Sequence, residues 1–553
     1  MSAAAPQGAA GRQCSRGYRR PGALGVLLLG ATAALVGVSA AGGFGAPPPS
    51  VPIPRVEVPA GAYTAVCPGP PRPLGDTALS GDPASGNSAG EDPAFSPVSS
   101  TAKTVAGTMV LSDPRGARPA GTLVPLGAGV PVPVPAERSG TSGPASAGPP
   151  AGSSGDVATN RTAAVARNGA VDAPTVFRAD PLWGNAPIAG ATFTHTADDG
   201  DLRGLGALSC RTPSNDMVLL GGATEVGDSS VLVLTNPTDI PAVVDLGLFG
   251  ADGPVEAAGT GGHLVPPGES RNVVLAGLAG NQEHLAVRVR SDGGRISAVI
   301  QQSVLRGLTP GGVELLAPAA PPALDQVIPG VVLQNADTAR AVREQDGYAA
   351  ASPVLQVLVP GSTDAVLDIR VLGPDGEVPL PDGGVMTAAA GSVSTVPLED
   401  LAEGSYTVAI TSDVPVAAAA RVSRGSAGGP VDFGSAPAAE RLGSEHAVVL
   451  ADGVDVQLVF GAPEDSAEVS LTPVGADGAI GDPRVVGIAG TTSVTVPASS
   501  FGPGAVAVIV GAAGGPVFGA QVATLGGDTA GISVSAISED PGGRRSIPVE
   551  LRY

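Results

Sequence analysis

Apolar and polar residues alternate in short runs along most of this chain. Val454, Val456, Leu458 and Phe460 share one face of a strand, with Asp455 and Gln457 on the other. Leu285, Val287 and Val289 alternate with Arg288 and Arg290 in the same way. A period of two marks β-strands, and one polar face predicts antiparallel sheets wet on one side. Three of the runs end in proline, at Pro237, Pro360 and Pro463, and an Asp-Gly pair follows each, at Asp252-Gly253, Asp375-Gly376 and Asp477-Gly478. The offsets from proline to aspartate are 15, 15 and 14 residues. Such spacing predicts a β unit copied three times, with Asp-Gly as turn chemistry because glycine tolerates positive φ.

Further runs fall into register with the repeat. In the first copy, strands are predicted at 231–237, 243–249, 271–275, 285–290 and 295–301, the last two as a hairpin around Ser291-Asp292-Gly293-Gly294. The second copy has 354–360, 365–372, 392–398, 405–411 and 415–422. The third has 456–463, 467–474, 492–498, 505–510 and 516–522, and closes with 546–551. The tails also correspond: 311–320 resembles 428–439, and the β runs 327–333 and 447–450 follow them. About seven short strands per roughly 100 residues predict tandem immunoglobulin-like antiparallel β-sandwich modules, in a chain that is mainly β. The Cys…Trp…Cys core of antibody domains is missing, so only the architecture is implied. A propeller is the alternative, for which three units are few. The modules are placed at 205–320, 321–440 and 441–553, standing in a row.

The N-terminal third is patterned differently. Residues 22–46 carry no charge and are rich in Leu and Val, long enough for one transmembrane helix. Arg12, Arg16, Arg19 and Arg20 precede it, so residues 1–21 are expected in the cytoplasm and the remainder outside, with 22–46 as a retained signal anchor. A cleaved signal peptide ending near Ser39-Ala40-Ala41 is the rival reading. Residues 47–204 form a first β-rich region interrupted by Pro/Ser/Gly-rich loops at 68–102 and 135–170. The stretch 55–67 alternates like a strand, and 104–111 and 122–134 are further strand candidates.

Composition then narrows the chemistry. The chain has 553 residues, 81 of them glycine and 55 proline, and a net charge of −21. An acidic surface repels phosphate backbones, so nucleic acid is not an expected partner. Export leaves Cys14 cytoplasmic and places Cys67 and Cys210 in an oxidising space, where they are expected to pair. Closing so long a loop is worth about 4–5 kcal/mol in the chain-entropy model, the alternative being two buried free thiols. Gly86-Asn87-Ser88-Ala89-Gly90 matches a nucleophile-elbow string but lacks the strand before it and the helix after it. His195, His263, His284 and His446 are not spaced as ligands of one metal. Asp198, Asp199 and Asp201 read as an acidic turn rather than a calcium loop. Lys103 sits in no phosphate loop, and Trp183 reads as a packing residue with sugar stacking as the alternative. No catalytic, metal or cofactor-binding residue emerges, and no cofactor is expected.

The anchor, Cys67-Pro68-Gly69-Pro70, residues 200–210 with Gly221-Gly222 after them, and Leu234-Thr235-Asn236-Pro237 resemble an actinobacterial envelope family known only as domain of unknown function 5719. The likeness runs from about residue 51 onward. The resemblance implies no activity and no catalytic residues, and at most a place in envelope or cell-surface polysaccharide assembly. The expected function is a non-enzymatic, membrane-anchored extracytoplasmic scaffold or accessory protein that binds an envelope protein or glycan. An exported enzyme acting on envelope polysaccharide is the alternative, and a passive spacer or adhesin is a third.

Overall fold

The computed structural model describes residues 55–58, 60–74, 97–114, 116–127, 129–134, 161–168, 171–380, 383–526, 530–537 and 545–548. The expected anchor at 22–46, Cys14 and Ser88 lie outside these, as does most of 135–170. Among the described residues no helix is long and apolar enough to cross a membrane. The chain divides into two units. The smaller comprises 1–57 and 546–553, and in it Arg55–Val58 and Arg545–Pro548 belong to a two-stranded sheet. The expected closing strand of the third repeat therefore belongs to no sandwich sheet.

The larger unit, residues 58–545, is mainly β and built from antiparallel sheets. These sheets form four two-sheet sandwiches, one more than the repeat count predicted. The extra copy lies in the first β-rich region. Its first sheet has the order Tyr63–Cys67, Thr175–Ala179, Gly121–Pro125, Val132–Val134, and its second Ala163–Asn168, Lys103–Leu111, Ala189–Ala197, Gly204–Ser209. Numbered along the sandwich, these orders are 1-6-3-4 and 5-2-7-8. The fourth sandwich repeats them with His446–Val449, Ala505–Gly514, Ala467–Gly475, Arg484–Ile488 and with Thr492–Pro497, Asp455–Ala462, Phe518–Thr524, Ile532–Ala536. The second and third sandwiches follow the same scheme and add one short strand each, Gly253–Pro254 and Gly376–Val378. Gly204–Ser209 pairs with Ala189–Ala197, so it completes the first sandwich and not the module placed at 205–320.

The expected hairpin at 285–301 does not form. Leu285–Gly293 pairs with Asp216–Gly222 and Ala242–Gly250, whereas Ser297–Arg306 pairs with Asp228–Thr235 and Thr309–Leu316. Strands adjacent in sequence cross from one sheet to the other. In the third sandwich the two equivalents are continuous as Gly404–Gly425, whose first part pairs with Ala365–Gly373 and whose second part pairs with Val354–Leu358. A corner made by one strand switching sheets replaces the turn.

The sandwiches do not stand in a row. In Asp455–Ala462, Leu458 and Phe460 join the core of the fourth sandwich, while Val459 on the opposite face joins the core of the third. Ala106 and Val110 face the first core, whereas Met109 and Leu111 meet Ala447, Val449 and Ile509 of the fourth. Ala298 and Ile300 lie in the second core, and Val299 between them lies in the first. Val218 and Leu220 join the third core, while Met217 and Leu219 stay in the second. Sheet therefore stacks on sheet round a closed circuit: first on fourth, fourth on third, third on second, second on first. This revises the expectation of sheets wet on one side. Strands such as Val431–Pro437 and Ile532–Ala536 are buried along their whole length and read as short apolar runs with small residues, as two-faced burial requires. Alternation survives on outer strands such as Ala242–Gly250.

Candidate functional site

The eighth strand of each sandwich is the innermost. Gly204–Ser209 packs on Thr309–Leu316, that on Val431–Pro437, that on Ile532–Ala536, and the last on Gly204–Ser209 again. Each is the edge of its sheet, so each turns unpaired backbone N–H groups toward a space without bulk water. An unpaired buried N–H is costly, and an acceptor is needed there. Asp432 provides it. Its Oδ1 accepts from Val313 N at 3.2 Å and Phe433 N at 2.9 Å. Its Oδ2 accepts from Leu205 N at 3.0 Å and Ile532 N at 3.3 Å. One donor comes from each of the four sandwiches. The approach needs glycine: a Cβ on Gly312, at φ +113°, would stand 2.2 Å from Asp432 Oδ1, and one on Gly204 would stand 2.9 Å from Val313 N.

Glu314 is the second acid here, also fully buried. Its Oε1 accepts from Leu315 N at 2.8 Å and lies 2.8 Å from Ser533 Oγ, and the Ser435 backbone N–H also acts on its carboxylate. Ser533 Oγ in turn accepts from Ala207 N at 2.9 Å, linking the first, second and fourth sandwiches. Burial pushes the Asp432 carboxyl up to about 8, against four backbone N–H bonds that pull it down. Burial pushes Glu314 well above the usual carboxylate range, helped by the nearby charge of Asp432. A pocket of about 80 Å³, lined by Arg203, Gly204, Val431, Asp432 and Leu525 among others, meets this cluster where three inner strands begin. It is large enough for a few waters. Each carboxyl oxygen of Asp432 meets two backbone N–H groups, so this one side chain holds strands of all four sandwiches together.

The sulfurs of Cys67 and Cys210 are bonded, with Cα atoms 4.6 Å apart and both residues fully buried. The bridge ties the first strand of the first sandwich to the residue after its last strand. The other residues singled out in the sequence are scattered. His195 lies in Ala189–Ala197, and burial lowers its pKa to about 4. His446 Nε2 accepts from Gly443 N at 2.7 Å, and His284 Nδ1 lies 3.1 Å from Gln356 Nε2. Burial lowers His263 as well. Asp199 accepts from the backbone N–H groups of Ser100 and Thr101 and from the hydroxyls of Ser99, Ser100 and Thr101, and these bonds hold its carboxyl far below the usual range. That turn is stapled by its own hydrogen bonds. Trp183, half exposed at φ +53°, sits in the tight turn between Leu182 and Asn185. Among the described residues no cluster of His, Cys, Asp or Glu is placed to hold a metal.

Sequence reading missed Asp432 and Glu314. The signal was a lone carboxylate inside each of two apolar tail runs, Val431-Asp432-Phe433 and Val313-Glu314-Leu315, at places already seen to correspond. The model of a family described as "Family of unknown function (DUF5719)" matches residues 165–499, which is more than half of the chain. The chain belongs to this family. The DUF5719 match begins inside Ala163–Asn168 of the first sandwich and ends just past Thr492–Pro497 of the fourth, so it takes in three of the inner strands. No curated protein matches the chain. Among solved structures, one described as "Biofilm associated protein - BSP domain" is 10% identical, with 87% of this chain and 96% of that one covered at a TM-score of 0.12. So low a score bears on neither fold nor function.

Proposed function

We propose that this DUF5719 member is a non-enzymatic scaffold or accessory protein of the cell envelope, held at the membrane by residues 22–46 with its sandwiches outside. The observation that carries this reading is the closed circuit itself. Its centre is occupied by inner strands sewn to one carboxylate, so the unit is a rigid body that offers its rim and loops for contact. The buried Cys67–Cys210 bond supports an oxidising location, since such bonds are kept outside the cytosol. The acidic net charge disfavours nucleic acid and leaves protein or glycan as partners.

The test is crosslinking of the full chain in intact cells, followed by identification of what co-purifies. We expect a defined envelope protein or glycan. Recovery of lipid alone would remove the scaffold reading. A reporter fused after Tyr553 tests topology separately, and cytoplasmic activity of the fusion would overturn the external placement.

A further inference from the structure

The first sheet of each sandwich ends outward in an edge strand, and the four edges are not guarded alike. They are Val132–Val134, His263–Val265, Val385–Ala388 and Arg484–Ile488. The first has three residues with Pro133 at its middle, the second three and the third four. Short strands and prolines keep an edge from recruiting another chain. Arg484–Ile488 has five residues and no proline, and no described strand pairs with its outer side. Its one charge, Arg484, stands at the start of the strand and donates from Nη1 to Ser500 Oγ at 3.1 Å. Val486 and Ile488 pack on the fourth core, so Val485 and Gly487 share the outer face. Val485 is 61% exposed, and a Cβ on Gly487 would meet nothing within 4 Å.

A groove of about 470 Å³ opens at this end of the sheet. Its walls are the starts and ends of three strands, Ala467–Gly475, Arg484–Ile488 and Ala505–Gly514. One row of residues crosses it: Ala513, Glu468 and Gly487 stand side by side on neighbouring strands, all exposed. Glu468 therefore rises between a methyl group and no side chain at all. Glu464 and Asp465 are exposed on the adjoining turn, and none of these three carboxylates has an ion pair among the described residues. The turns are set by close backbone approach. A Cβ on Gly490 would stand 2.2 Å from Glu464 O, and one on Gly515 2.7 Å from Asp465 O.

A strand laid along the open edge would extend that row. Its residue opposite Gly487 would find no Cβ beside it, so a long side chain there could lean across to Glu468, two strand spacings or about 10 Å away. Two residues along, the added strand meets Val485, which calls for an apolar side chain. We propose that Arg484–Ile488 is a strand-addition site for an extended segment of a partner protein, with a basic residue over Gly487 and an apolar residue beside Val485. Main-chain hydrogen bonds supply the affinity, and the two side chains select the sequence. The acidic rim favours the basic residue, and the net charge of −21 attracts it from a distance. This inference does not depend on the cell-envelope reading, since the purified chain binds such a segment wherever the protein resides.

The experiment is fluorescence anisotropy of the full chain with a labelled peptide that alternates threonine with valine, arginine and valine in turn. Saturable binding is expected, and weaker binding of the same peptide with glutamate in place of arginine. Glu468→Gln should weaken the arginine peptide about threefold, as loss of one exposed ion pair does. Gly487→Leu should weaken it at least about tenfold by filling the space above the row, without strain in the free chain, because Gly487 is not at positive φ. Asp368→Asn, on the third sandwich, should change nothing. Hydrogen exchange should show the peptide protecting amides of Arg484–Ile488 and not those of Val132–Val134. No saturable binding, equal affinity for the glutamate peptide, or unchanged affinity in Gly487→Leu would overturn the proposal. So would protection of Arg484–Ile488 by chitotetraose and not by the peptide, which would make the groove a glycan site. Protection on raising the chain concentration alone would assign the edge to a second copy and overturn it as well.

Discussion

One side chain, Asp432, joins four sandwiches through four backbone donors, and its removal is the sharpest test at the level of single residues. In Asp432→Ala those N–H groups stay buried without an acceptor. We expect a loss of about 4 kcal/mol or more in urea unfolding, since one unsatisfied buried group costs about 1–3 kcal/mol. Asp432→Asn, which like the protonated acid keeps one carbonyl oxygen to accept from these donors, should recover part of that loss. The acids also set a pH dependence. Asp432 rises from the ordinary aspartate range to about 8 in the native state, so the folded protein binds more protons than the unfolded one between those values. Its contribution is full below pH about 4 and is lost as pH rises through 8. The lowered histidines act oppositely, but only below about pH 6.5, where the unfolded imidazoles gain protons. Between pH 7 and 8.5 stability should therefore fall, by about 1 kcal/mol, and the slope should flatten in Asp432→Asn. A rising or level wild-type profile would contradict the assignment. Replacing Cys67 and Cys210 by serine should cost about 2–5 kcal/mol, read as a lower melting temperature that reductant no longer affects.

Strands and their seams obey a different rule from isolated side chains. An outer strand needs one apolar face, whereas a strand between two cores needs two faces and close approach. Gly190, in Ala189–Ala197, shows the second case. A Cβ there would stand 2.0 Å from Ala447 O, on the first strand of the fourth sandwich. Nearby, Thr192 Oγ1 donates to Val449 O at 2.7 Å, and Arg167 pairs with Asp452 at 2.6 Å. Gly190→Val should therefore loosen the first–fourth seam while each sandwich keeps its own core. Hydrogen exchange should show faster exchange at His446–Val449 and little change at Asp228–Thr235. Uniform acceleration through the chain would mean that the seam is not a separable element. The helix Ala336–Arg343 is a minor insertion into this pattern, started by Asn335, whose side chain accepts from Asp337 N at 3.1 Å. Its signal is an ordinary N-cap in a loop between strands.

For the whole molecule, the closed circuit makes each sandwich depend on two neighbours. Cut alone, the fourth would expose Val459, Ala520, Val522, Ile532 and Val534, all of which now sit in the third sandwich's core. The segment 441–553 expressed by itself is expected to be aggregated or unfolded, and the intact chain should melt in one cooperative transition. Independent folding of that segment, with native-like spectra, would show the sandwiches to be autonomous beads. Closure depends on the seam between the first and last sandwiches, which are farthest apart in sequence. Contacts of such separation are entropically costly to form, so a slow final folding phase should depend on this seam and be slower still in Gly190→Val.

The amino-acid pattern alone determined the fold class and three of the four repeats, because period-two alternation and Asp-Gly turns are local features written into consecutive residues. The first copy was obscured by Pro/Ser/Gly-rich loops that stretch its strand spacing, and the hairpin at 285–301 was misread because a sheet-switching corner and a turn both use Ser, Asp and Gly. Tertiary structure alone decided the circuit, the two-faced burial of inner strands, and the roles of Asp432 and Glu314. Each of those depends on which remote strand lies opposite. An aspartate in an apolar run looks the same in sequence whether it meets water or four backbone N–H groups, and only the packing of distant segments selects between them.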